Sequence, residues 1–173
     1  MTPWSGFPET TIGNVRVVTA PAWAAPFEVE AVAREEDTFL VLSADPTVRD
    51  PGEPLMKVLT AALESEPRPL GSVVVRPGQP LELLAVVHDL SLDPTWKEEW
   101  VASAIDAVLA EARERELRSI AVPPLGAVHG RMPVERFVAL LAAALRRGPT
   151  GRLERLWIVA DEADCEIVAG LWV

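Results

Sequence analysis

The chain has 173 residues, about one domain's worth, and apolar residues make up 49% of it, enough to fill a core. Its 26 acidic against 16 basic residues give a net charge of −10, which argues against wrapping nucleic acid, whose binding runs on phosphate neutralisation. No apolar run reaches the roughly 20 residues needed to span a bilayer, and the opening MTPWSGFPETTIG lacks the basic start and apolar core of a secretory signal, so a cytoplasmic protein is expected.

Residues 1–13 read as an irregular lead-in of Pro, Gly and Thr. Val15–Thr19 is a short strand, and Pro21–Pro26 a connector. Phe27–Ala33 alternates, with Phe27, Val29, Ala31 and Ala33 on one face, the period of a half-buried strand. Glu35-Glu36-Asp37 reads as a turn. Phe39–Leu42 is a continuous apolar run, as expected of a strand buried on both faces. Residues 43–52 form a loop, and Leu55, Val58, Leu59 and Leu63 give one face of a helix starting near Pro54.

Val73–Val75 and Leu83–Val87 are strands joined by a proline-glycine turn. A long helical run follows, Trp96–Leu117, with Thr95 and Glu98 spaced as a capping box. Ile120–Val122 is a strand, Val134–Leu145 a helix that Gly148 stops, and Leu156–Val159 a strand. Asp161 with Asp164 opens a last helix, Glu162–Leu171. Helices between strands imply parallel pairs, whereas the short turn between Val75 and Leu83 makes that pair antiparallel. The expectation is one α/β domain over residues 1–173, three-layered α/β/α, with a mixed, mostly parallel sheet.

The single Cys165 excludes an internal disulfide and a cysteine metal cluster. Its acidic neighbours raise a thiol pKa, so it reads as a packing residue. Two histidines without ligand spacing point to no metal. No motif calls for a cofactor. One Asn, one Gln and 16 prolines fit a heat-adapted or GC-rich source.

The candidate site is the loop Leu125–Pro133. Ligand crevices in open α/β sheets lie beyond the carboxyl ends of strands. Gly126 and Gly130 let the backbone approach a phosphate, the helix start at Pro133 points amides toward it, and Ala127 and Val128 complete the candidate loop. His129 could donate to a phosphate or act as acid or base, and Arg131 could pair with one. An ordinary strand-to-helix connection with an exposed histidine is the plainer reading. Ser43, Ala44 and Asp45 end the presumed central strand; Asp45 could orient a ribose hydroxyl or a water, or only cap the turn at Pro46.

Several of these segments follow one family's order. Gly71-Ser72-Val73-Val74-Val75, Pro77-Gly78, Leu81, Val86-Val87-His88 and Pro94 come first. Then come Leu117-Arg118-Ser119-Ile120-Ala121-Val122-Pro123 and Leu125-Gly126-Ala127-Val128-His129-Gly130-Arg131-Met132-Pro133. The chain resembles a divergent macro domain. The resemblance implies the macro fold and binding of ADP-ribose or a related nucleotide at Ser43–Asp45 and Gly126–Arg131. The departures fall on the ligand side: Val128 and Arg131 replace family glycines, and Leu42-Ser43-Ala44-Asp45 stands for the family's Asn-Ala-Ala-Asn strand end. A hydrolase of ADP-ribosyl derivatives, with Asp45 or His129 activating water, is one alternative. Another is a ligand-free macro fold used for protein interaction or as a homodimer, with Trp4, Trp23 and Trp172 as interface residues.

Overall fold

A computed structural model describes residues 6–42 and 66–172. Among them lie the strands β1 (Glu9–Ile12), β2 (Val15–Ala20), β3 (Ala31–Asp37), β4 (Val73–Arg76), β5 (Leu81–His88), β6 (Ser119–Val122) and β7 (Arg155–Val159). They form one sheet in the order β1-β2-β7-β6-β3-β5-β4. The five inner strands run parallel, and β1 and β4 pair antiparallel at the edges. The mixed, mostly parallel sheet read from the sequence is present.

The helices are α1 (Glu98–Glu114), α2 (Val134–Arg147) and α3 (Glu162–Leu171). Each carries apolar residues at helical spacing, and all three feed one core. Ile105 and Val108 of α1, Phe137 and Leu141 of α2, and Val168 of α3 meet Ala33, Leu83, Ala85 and Val87 of the sheet there. Each large side chain buried this way contributes about 1.5–3 kcal/mol. Val32, on the other face of β3, joins a smaller cluster with Phe27, Val29, Ala121 and Trp157. Trp157 Nε1–H donates to the Ala20 carbonyl at 2.8 Å, which removes the cost of burying the indole nitrogen.

The first third departs from the sequence reading. β1 already begins at Glu9, inside the presumed lead-in. Phe27 and Val29 precede β3 and pack on the face opposite Ala31 and Ala33, so the alternation does not run through as one strand. Glu35-Glu36-Asp37 is the buried carboxyl end of β3, not a turn. Phe39–Leu42 is a turn, not a buried strand, and Leu40 takes a φ of 57° there. The helix expected from Pro54 lies outside the described residues.

Candidate functional site

The loop between β6 and α2 sits at the carboxyl ends of the parallel strands, beside the end of β3. Gly126 has a φ of 85°, a conformation that L side chains rarely adopt. A Cβ there would come within 3.0 Å of Val101 Cγ2 and 3.3 Å of Met132 Cβ. Gly130 is held as closely: its Cβ would fall 2.6 Å from Trp96 Cδ1. Both glycines are thus demanded by close packing as well as by any ligand.

Beneath the loop lies a buried carboxylate. Glu35 accepts hydrogen bonds from the Gly126 N–H and, at 2.7 Å, from the His129 N–H. Its Oε1 is 2.9 Å from His88 Nε2, a close contact that lacks hydrogen-bond alignment. Both side chains are only 1% exposed. His88 reaches Glu35 because of an irregularity in pairing: Glu36 stands opposite Val86, yet Asp37 stands opposite His88. The extra residue on β5 brings His88 to the side of the sheet that Glu35 occupies. The other ring nitrogen, Nδ1, is 2.8 Å from Thr95 Oγ1. Thr95 therefore does not cap α1, whose N-cap is Lys97 with no side-chain cap bond.

The loop's remaining amides divide. Ala127 N–H donates to the Pro124 carbonyl and Met132 N–H to that of Gly126. The amides of Val128, Gly130 and Arg131 find no acceptor among the described residues. Val128 is 52% exposed and, with His129 and Pro123, walls a cleft of about 510 Å³. The cleft's other lining includes Val32, Arg34, Arg76, Glu82 and Val159 of the sheet. Glu82 holds both arginines: Arg34 Nε donates to one carboxylate oxygen at 3.0 Å, and Arg76 Nε to the other. The Arg76 hydrogen bond above all, with that of Arg34, holds the Glu82 carboxyl below the usual carboxylate range.

The six loop residues singled out from sequence, Gly126 to Arg131, share one loop, in which the Gly126 and His129 amides bond to Glu35 and that of Ala127 to Pro124. Ser43, Ala44 and Asp45 lie outside the described residues. The strand assigned to carry them is a turn, and the buried strand end is Glu35–Asp37. Sequence reasoning missed Glu35, His88's contact with it, and the Arg34–Glu82–Arg76 set. The arginine set had no local signal, since Arg34, Arg76 and Glu82 each fall just outside the strands read from the sequence and meet only through strand pairing. Glu35 had none either, since its partners lie 91 and 94 residues away.

Comparison with known proteins adds the following. A family model described as Macro domain matches residues 51–141. No curated protein matches the chain significantly. Among solved structures, the macrodomain of Oceanobacillus iheyensis with ADP is similar at a TM-score of 0.66 and 16% identity, over 94% of this chain and 92% of that one. A mutant of the same macrodomain with ADPR gives 0.65 and 17%, over 94% of each. The macrodomain of Thermus aquaticus DarG gives 0.56 and 19%, over 84% of this chain and 97% of that one. At such identities the likeness is one of fold.

Proposed function

The chain belongs to the macro domain family, and from that premise we propose that it binds ADP-ribose or a related nucleotide at the carboxyl ends of β6 and β3. The observation that carries this is that the amides of Val128, Gly130 and Arg131 find no acceptor among the described residues, in a loop whose Val128 and His129 line a cleft. Backbone N–H groups without an acceptor in a loop before a helix are suited to seat an anion. The Oceanobacillus iheyensis macrodomain structures with ADP and with ADPR support the choice of ligand. Arg34 and Arg76 line the same cleft, where they share the Glu82 carboxylate.

In this reading the diphosphate lies against the outer amides of the loop, and His129 and Arg131 flank it. Ser43, Ala44 and Asp45 remain part of the proposed site. Asp45 is the candidate to activate water if the bound derivative is hydrolysed. A cytoplasmic location belongs to the same proposal and rests on composition; among the described residues no helix is long and apolar enough to cross a membrane.

Calorimetric titration with ADP-ribose, using AMP and ADP as controls, tests it. Micromolar binding of ADP-ribose is expected, together with at least a tenfold loss in Val128→Glu at unchanged melting temperature. Val128 is exposed, so the variant adds a repelling charge without disturbing the core. No heat at millimolar ADP-ribose would overturn the reading and leave a fold that acts through its surface.

A further inference from the structure

The Gly126 and His129 amides each donate to a different oxygen of one carboxylate, that of Glu35. Two N–H groups aimed at one anion are what an oxyanion or phosphate oxygen would use. Glu35 cannot be there for surface solubility, because it is buried in the middle of the sheet's carboxyl edge. A charged group so placed persists only when its hydrogen bonds are met, and the loop meets them. The link also runs the other way: loop amides on the inner side would be orphaned without the carboxylate. His88, braced by Thr95 Oγ1 at 2.8 Å from its Nδ1, places Nε2 2.9 Å from Oε1, the oxygen that the Gly126 amide also bonds.

We propose that Glu35 is a built-in occupant of the inner half of the loop's anion seat, and a positioning residue that decides which anions the loop accepts. The inner amides are taken, so an external anion reaches only Val128, Gly130 and Arg131. The loop is held in shape before any ligand arrives, which lowers the ordering cost of binding. Free inorganic phosphate, small enough to enter the inner seat, is rejected by the negative charge already there. A nucleotide diphosphate, anchored elsewhere by its other groups, is admitted at the rim. The last two statements rest on the reading of the loop as a nucleotide site; the occupancy itself does not.

Glu35→Ala tests this through the amide resonances of Gly126 and His129, with formate and inorganic phosphate as probes. In the native protein both amide protons are expected downfield, as for charge-assisted bonds, and neither probe should move them. In Glu35→Ala both should shift upfield. Formate should return them and raise the melting temperature of the variant but not of the native protein. Phosphate should bind the variant at least tenfold more tightly than the native protein. Unchanged amide shifts in the variant, or no response to formate, would overturn the proposal. If Glu35→Ala does not fold, Glu35→Gln serves: one carbonyl oxygen then accepts one amide, so one of the two resonances should keep its position. Both keeping it would overturn the proposal equally. No nucleotide enters these measurements, so failure of the ADP-ribose reading would not be mistaken for failure here.

Discussion

Cys165 is 3% exposed, and its sulfur sits 3.7 Å from the Ala160 carbonyl. Burial first, then Asp161, Asp164 and Glu162, push the thiol up from 9.0 to about 11. The sequence reading credited the acidic neighbours alone; desolvation is the larger cause. A raised folded pKa favours the neutral thiol in the folded state. The associated stability is fully present below about 9 and is lost as pH rises through about 11. The loss amounts to roughly 2–3 kcal/mol at its end, at about 1.4 kcal/mol per unit. Native protein is therefore expected to be inert to Ellman's reagent at pH 8, with one thiol appearing on denaturation. Rapid native labelling would contradict this.

At the scale of the element, α3 is the part most fully legible in the sequence. Asp161 is its N-cap and accepts a hydrogen bond from the Asp164 N–H at 2.8 Å, as the Asp-x-x-Asp spacing suggested. Asp161→Ala is expected to cost about 1 kcal/mol in urea unfolding, and Asp161→Asn to keep most of it. Equal losses in the two variants would count against the cap. The stretch from Phe27 to Leu42 was the least legible. Acidic residues are rarely buried without partners, so Glu35-Glu36-Asp37 looked like surface and the apolar run after it looked like the strand. The order is reversed because the acids find partners: Glu35 in the distant loop, and Asp37 Oδ1 in the Val41 N–H at 2.6 Å. Thr95 failed for the same kind of reason. A capping-box spacing is local, whereas the hydroxyl is claimed by His88 across a tertiary contact.

For the molecule as a whole, the succession of strands and helices after Gly71 carried the fold, since parallel strands need crossover connections long enough to hold a helix. The loop Gly126–Arg131 was legible as a strand-to-helix connection because glycines before a helix have a backbone reason to be there. The arginines were not, because only pairing of β3, β5 and β4 aligns them on Glu82. The overall charge of −10 bears on binding as well. Its long-range field repels an anionic nucleotide, and salt screens that repulsion more than it screens contacts inside a cleft. ADP-ribose affinity is accordingly expected to be no weaker at 200 mM than at 20 mM NaCl, by titration at both, to within about twofold by this screening argument. A steep fall with salt would mean that a local basic patch dominates instead.

The contact of Gly130 with Trp96 has an optical consequence. The indole edge lies against the backbone of the loop, close enough that an added methyl group would meet it. Indole emission responds to nearby dipoles and to water, so the loop and its fluorophore are coupled by construction. Nucleotide binding at the proposed loop is therefore expected to change the emission of Trp96, a readout that needs no added label.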